Sequence, residues 1–222
     1  MKLTLLAPFF VALVTISTHA ADISVPGSTI VGGQLQGGTT FVVATVGTAA
    51  TVNNYPGAET PAMAIDNLTG TKYLNFAETN TGYVCSPSPG VSNVTGIRFT
   101  TGNDSAERDP ASYALYGTNA GAAGSAASLV FSNYTLISSG ALSLPGDFTI
   151  DDQRGVTSSI SFTNAAGNFS TYMLIFPTVK DGASANSMQI AEAVLTGTVV
   201  PEPSGAALGL AGGLLLMRRR RR

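Results

Sequence analysis

The stretch VTGIRFTT, Val94 to Thr101, places Ile97 and Phe99 on one face of an extended chain and Arg98 on the other. Alternation at a period of two marks a half-buried strand. The same signature recurs on both sides of it. TFVVATV (Thr40–Val46), SYALYG (Ser112–Gly117), Thr157–Phe162 with Ile160 and Phe162 inward, Thr171–Pro177 and Met188–Thr196 all read as strands, with weaker candidates at Tyr134–Ser138 and Phe148–Ile150. Asp22–Gly38 is rich in Gly and reads as an irregular lead-in or edge strand. Ala49–Glu59 is turn-rich, Gly102–Pro110 is the densest polar loop, and the Ala/Gly/Ser run Ala120–Ser128 reads as an exposed loop. There is no internal repeat, coiled coil or long amphipathic helix. Many short strands at near-regular spacing predict an all-β sandwich.

Composition narrows the function. Between the two ends, the chain carries Lys72, Arg98, Arg108, Arg154 and Lys180 against twelve acids, a net charge of −7. An acidic domain with scattered cations lacks the electrostatic footprint of a nucleic-acid binder. Charged residues are 11% of the chain, low for a cytosolic surface and suited to an exported Ser/Thr/Asn-rich one. Cys85 is alone, so no internal disulfide can form. The one histidine, His19, lies in the leader described next, which removes Ser-His-Asp and Cys-His catalysis and the usual zinc sites from the remainder. Paired carboxylates of the glycosidase kind have candidates in Asp151-Asp152 and in Asp104, Glu107 and Asp109, but no spacing supports them, and the chain is read as non-catalytic.

Both termini read as processing segments. Residues 1–20 carry Lys2, an apolar run from Leu3 to Ile16 and small residues to Ala20, the pattern of a secretory signal peptide. A domain fills 21–199. In 200–222, Pro201-Glu202-Pro203 breaks the last strand, Ser204–Met217 is apolar, and five arginines, Arg218–Arg222, follow. Fourteen helical residues span about 21 Å, short of a hydrocarbon core of roughly 30 Å, a gap that arginine snorkelling and local bilayer thinning can close. The arginines stay cytoplasmic, leaving the domain outside, anchored by its C-terminus. This tail resembles the PEP-CTERM sorting signal of Gram-negative bacteria. The resemblance implies recognition by an exosortase-type processing enzyme, cleavage near Pro201-Glu202-Pro203, a transient membrane anchor, and delivery to the cell surface or extracellular polysaccharide matrix.

Two polar loops are candidate sites. Pro61–Phe76, PAMAIDNLTGTKYLNF, is pinned by apolar residues at both ends and offers Asp66, Asn67 and Thr71 between them. A much later carboxylate, Glu192, lies in a row with Met188, Ile190 and Val194. Either that row faces the core, and Glu192 is marginal or paired with Lys72, Arg98 or a cation, or the row Gln189, Ala191, Ala193, Leu195 does, and Glu192 is solvated. Periodicity leaves both open. The second loop offers Asn103, Asp104, Glu107 and Arg108 as ligand contacts, with Arg108 alternatively ion-paired to a neighbouring acid and Asp109-Pro110 ending the turn. Tyr55, Tyr73, Tyr83 and Tyr116 could stack on sugar rings but suit the core better. Cys85 reads as an inert thiol.

Ala64-Ile65-Asp66, Thr71–Phe76, Asn103-Asp104, Glu107–Tyr113, Leu115–Gly117 and Ser187–Glu192 occur in the order of the galactose-binding-like jelly-roll family, also called the discoidin or factor 5/8 C-terminal type. The middle of the chain resembles that family, particularly its PEP-CTERM versions. The resemblance implies a jelly-roll β-sandwich and a calcium ion tying the first long loop to the last strand. Its ligands would be the side chains of Asp66, Thr71 and Glu192 and the carbonyls of Met63, Leu68 and Ala191, an all-oxygen set suited to Ca²⁺. Tyr73 stands where the family often has tryptophan. The expectation is an exported, non-catalytic surface or matrix protein that binds carbohydrate or exopolysaccharide. The alternative is a structural or adhesive matrix protein without a specific small-ligand site.

Overall fold

The computed structural model describes residues 20–146 and 154–201. Two antiparallel sheets pack face to face. The smaller holds β1 (Ala21–Asp22), β14 (Glu192–Val199), β8 (Ser92–Thr100) and β11 (Thr157–Ser161), in that order. The larger holds β10 (Thr135–Ala141), β9 (Ser112–Thr118), β12 (Thr171–Phe176), β7 (Thr81–Ser86), β2 (Thr29–Gln36) and β3 (Thr40–Val43). Two small pairs flank them: β13 (Met188–Ile190) with β6 (Tyr73–Asn75), and β4 (Thr45–Val46) with β5 (Asn54–Tyr55). The all-β sandwich predicted from alternation is what the chain forms.

The core lies between the sheets. Phe99 of β8 meets Tyr113 of β9 and Phe176 of β12 with ring centroids 6.3 and 6.4 Å apart. Ile97 and Phe99 are fully buried, and Arg98 points outward to a two-pronged ion pair with Asp22 at 2.6 and 2.9 Å. Val94 also faces inward, although strict alternation from Ile97 would turn it out. The register against β14 shifts between Thr196 and Gly197, giving β8 the extra residue Thr95, and this bulge returns Val94 to the core face. Gly197 sits at the bulge because a Cβ there would lie 2.0 Å from the Asn93 carbonyl oxygen.

Three expectations need correction. Asp22–Gly38 is an edge and irregular lead-in only at its start, where Asp22 ends β1 at the margin of the smaller sheet and residues 23–28 turn; the rest is β2, which lies inside the larger sheet between β7 and β3, with Val31, Leu35 and Ile30 supplying apolar contacts on both faces. Ala120–Ser128 is largely exposed, as expected, but is not loop throughout. It leads into the one-turn helix α1 (Ala126–Leu129), capped by the Ser125 hydroxyl, which accepts from the Ser128 N–H at 3.2 Å. Ala123 is buried there in a second apolar cluster with Phe41, Val84, Met173 and Ile175, so this segment covers the outer face of the larger sheet. Third, Met188–Thr196 is not one strand. It breaks at Ala191 into β13 and β14, which pair with different partners.

The sandwich has two distinct ends. At the upper end β8, β12, β10 and β2 finish, β7, β9, β11 and β14 begin, and the loops 61–72, 101–111 and 177–187 gather. At the lower end β14 finishes, β8 begins and the turn 25–28 and connections 87–91 and 162–170 lie. The weak strand candidate Phe148–Ile150 and residues Asp151-Asp152 fall outside the described residues, as do the leader up to His19 and the tail from Glu202.

Candidate functional site at the upper loops

The break at Ala191 decides how Glu192 is presented. Met188 and Ile190 before it, and Ala193 and Leu195 after it, all belong to the core cluster between the sheets. The two rows that periodicity set against each other therefore each supply half of the core face. Glu192 is turned away from that face yet is only 4% exposed, because the 61–72 loop closes over it.

That loop is shaped from its ends. Pro61 starts a 3-10 turn, Pro61–Ile65, whose Ala64 and Ile65 are buried in the core. The chain then projects Asp66 and passes through Asn67 in the left-handed region, φ 65°. The next N–H, of Leu68, donates to both Asp66 Oδ1 at 2.8 Å and Glu192 Oε1 at 3.0 Å. The Thr71 hydroxyl bonds Asp66 Oδ2 at 2.8 Å and the Leu68 carbonyl at 2.9 Å. Glu192 Oε2 is buried and has no hydrogen-bond partner among the described residues. Burial and the neighbouring Asp66 carboxylate push the Glu192 carboxyl up to about 7.

Neither protein cation named for Glu192 reaches it: Lys72 is engaged with Asp104 at 2.6 Å and Gln189 at 3.0 Å, and Arg98 with Asp22. Two carboxylates sharing one donor, with an orphaned buried oxygen, form the electrostatic arrangement a hard cation relieves. Among the described residues no group of three or more His, Cys, Asp and Glu side chains gathers, so a cation here would draw its other ligands from hydroxyl and carbonyl oxygens. Asp66, Thr71, Leu68 and Glu192 are brought together as the resemblance implied. Ala191 is fully buried at the strand break, its N–H donating to the Thr100 carbonyl at 3.0 Å, and Met63 stands in the 3-10 turn with its N–H on the Thr60 carbonyl at 3.0 Å.

Asn103, Asp104, Glu107 and Arg108 stand beside this loop, between β8 and β9. Asn103 and Asp104 are exposed, and Glu107 and Arg108 half-buried. Their support comes from beneath. The Gln189 side chain, fully buried in β13, donates to the carbonyls of Asp104 and of Ser105, the latter at 3.1 Å. It thereby holds Ser105 in the left-handed region, φ 45°. Lys72 is 8% exposed and binds both Gln189 and Asp104. Burial raises the Asp104 carboxyl, but the Lys72 contact outweighs it and holds it below the usual range. Arg108 Nε sits 3.8 Å from Glu107, so the neighbouring-acid pairing is present but loose.

Asp109 does more than end a turn. It is fully buried and receives Arg154 at 2.6 and 2.7 Å and Lys180 at 3.1 Å. Lys180 also donates to the Pro145 and Gly146 carbonyls at 3.0 and 2.9 Å. This triad ties three upper connections together. Nothing in the spacing marked it, since Asp109, Arg154 and Lys180 lie in different loops; the one available signal was an excess of acids in a domain that must neutralise its few buried charges.

The tyrosines resolve toward packing. Tyr73 and Tyr83 are fully buried; Tyr73 donates to the Gly82 carbonyl at 3.2 Å and Tyr83 to that of Ala193. Tyr116 is half-buried edge-to-face on Phe131 at 5.0 Å, and Tyr55 edge-to-face on Tyr73 at 6.4 Å. Cys85 is buried, and burial pushes its thiol up to about 12, which keeps it unreactive. A separate cleft of about 220 Å³ lies beside the 3-10 turn, lined by Ile30, Val31, Val43, Tyr55, Thr60 and Pro61 among others, away from the 103–108 loop.

No family model matches the sequence, and no curated protein matches it. Solved structures do share the fold. A family 32 carbohydrate-binding module of Clostridium perfringens NanJ, in complex with galactose, superposes with a TM-score of 0.51 at 11% identity, over 80% of this chain and 99% of that one. The module CpGH89CBM32-5 of the same organism, in complex with GalNAc-β-1,3-galactose, gives 0.51 at 9% identity, over 79% and 99%. CBM32-3 from a family 31 glycoside hydrolase of that organism gives 0.50 at 14%, over 70% and 90%. The architecture is that of the galactose-binding-like fold.

Proposed function

We propose that this chain is an exported, non-catalytic protein of the cell surface or extracellular matrix that binds carbohydrate or exopolysaccharide through its upper loops. The observation that carries this reading is the 103–108 loop. It is polar, partly exposed and held from beneath by the buried pair Gln189 and Lys72, so its groups are presented in a fixed geometry. Preorganised polar groups on a rigid scaffold are what recognition of a hydroxyl-rich ligand requires. The modules of the same fold in complex with galactose and GalNAc-β-1,3-galactose make a galactose-type sugar the first to test. In this reading the leader directs export, the tail from Val200 is processed by an exosortase-type enzyme near Pro201-Glu202-Pro203 of a Gram-negative cell, and the apolar run anchors the chain to the membrane until then.

A structural Ca²⁺ belongs to the same proposal. Asp66, Glu192 and Thr71, with the carbonyls of Met63, Leu68 and Ala191, would hold it, and it would supply the positive charge that the two carboxylates lack. Retention on immobilised galactose, GalNAc-β-1,3-galactose and producer-derived polymer tests the binding; a chain retained by none of them overturns it.

The second reading, a structural or adhesive matrix protein without a small-ligand site, has one observation in its favour. The chain has no Trp, Tyr73 and Tyr83 are consumed by the core, and the described upper loops present no fully exposed aromatic side chain. Altered flocculation on gene deletion, with no sugar retention in vitro, would select it.

A further inference from the structure

Charge is distributed along this sandwich with unusual polarity. Among the described residues, every charged side chain belongs to the upper loops and the strand ends beside them, except Asp22 and Arg98, which neutralise each other at mid-height. Carboxylates outnumber cations at that upper end. Among the described residues the lower end carries no charge; Glu202, which follows Pro201 in sequence, lies just beyond them. The turn 25–28, the connections 87–91 and 162–170, the start of the β9–β10 connection at 119–122 and the exit 199–201 contain no Asp, Glu, Lys or Arg. They present Ser, Asn, Ala, Gly and Pro, with Val91 and Val199 exposed.

Both described termini belong to this neutral end. Ala21 pairs with Gly197 in β14, and Val200 donates to the Val91 carbonyl at 2.8 Å immediately before Pro201. In sequence, Glu202 and Pro203 come next, then the apolar run Ser204–Met217 and the arginines.

We propose that the lower end is the face this protein sets against an anionic lipid bilayer, with the upper loops projecting away from it; the proposal rests on the reading of the tail as a membrane anchor. The physical basis is a difference in electrostatic cost between orientations. The nine residues of β8 span about 30 Å at roughly 3.3 Å each, whereas potential decays over a Debye length of about 8 Å at physiological salt. Upright, the acidic loops lie several Debye lengths from lipid phosphate and feel little of it. Lying down or inverted, they enter the repulsive layer and bring Asp104, Glu107 and Asp181 with them. The neutral end meets the surface without repulsion and without stripping water from an ion. The chain exits there, so the upright arrangement also needs no long linker. Its consequence is functional: the 103–108 loop faces outward, where polymer is, while the chain is still anchored.

The test uses the whole chain reconstituted into vesicles of phosphatidylethanolamine and phosphatidylglycerol at a three-to-one ratio, about a quarter of the lipid being anionic as a model of a negatively charged leaflet. Buried Cys85 is poorly reactive, so a maleimide donor is directed to Ser88→Cys at the lower end or Ala183→Cys at the upper end, both exposed positions. Energy transfer to an acceptor lipid is read after flotation. The expected result is severalfold stronger quenching of the Ser88→Cys label. In Ala120→Glu/Ala166→Glu, which places two acids at the neutral end, that difference shrinks. Equal or reversed quenching on floated protein overturns the orientation. Failure of the chain to float with vesicles overturns the anchor on which it rests, and the two failures are distinct readings of one experiment.

Discussion

Asp66 and Glu192 accept the same amide proton: the Leu68 N–H lies 2.8 Å from Asp66 Oδ1 and 3.0 Å from Glu192 Oε1, across 124 residues of sequence. Two carboxylates at one donor, with no cation of the described residues in ion-pair contact with Glu192, make the site a source of repulsion unless a proton or a metal ion intervenes. In metal-free protein the Glu192 carboxyl is raised to about 7 from an ordinary value of 4.5. Between these values the folded state holds a proton that the unfolded state has lost. Metal-free stability therefore falls as pH rises from 4.5 to 7, by at most about 1.4 kcal/mol per pH unit, and flattens above. Ca²⁺ competes with that proton, so its affinity rises over the same window. Melting curves from pH 5 to 8 with EDTA or with Ca²⁺ check both slopes. A metal-free melting temperature that climbs from pH 5 to 7 would sink the account.

Glu192→Gln separates the charge from the shape. The amide keeps the volume and removes the repulsion with Asp66. Metal-free Glu192→Gln is expected to melt at or above the parent at pH 7.5, and to gain nothing from Ca²⁺. If the variant still shifts on adding Ca²⁺, the ion binds elsewhere.

Gln189→Leu tests whether the 103–108 loop is held from below. The substitution leaves the Asp104 and Ser105 carbonyls and one Lys72 contact without their partner. A buried group stripped of its hydrogen bond costs about 1–3 kcal/mol. The expected signature is local: faster amide exchange across residues 103–108 and loss of sugar retention, with the slow-exchanging amides of β8 and β12 changed only by the global loss in stability. Unchanged exchange in that segment would show that the loop holds itself.

How much of this could be read beforehand follows from which interactions are local. Alternation in Val94–Thr101 is local, and it announced β8 with Arg98 outward. The bulge at Thr95 that returns Val94 to the core depends on β14 and left only a glycine, Gly197, as its trace. The face of Glu192 could not be read by parity, because parity assumes one continuous strand and the chain breaks at Ala191. The Asp66 loop was legible from its pinned ends, and its contact with Glu192 only through resemblance. Gln189 was invisible: in an alternating row it is one more polar residue, and its importance comes from the carbonyls that a distant loop lowers onto it.

The Asp109 triad supplies the sharpest stability prediction. Asp109 is fully buried and neutralises Arg154, whose side chain is 6% exposed, and Lys180. Removing one partner of a buried pair leaves uncompensated charge at a cost of about 3–5 kcal/mol. Asp109→Ala strands two cations and sits at the upper end of that range. Lys180→Ala costs less, because Asp109 keeps both Arg154 contacts while the Pro145 and Gly146 carbonyls lose one donor. Urea unfolding read by tyrosine fluorescence measures both. The required order is Asp109→Ala far below Lys180→Ala, and Lys180→Ala below the parent. An Asp109→Ala loss under about 1 kcal/mol would mean that water reaches Arg154 and screens the triad as it does a surface pair.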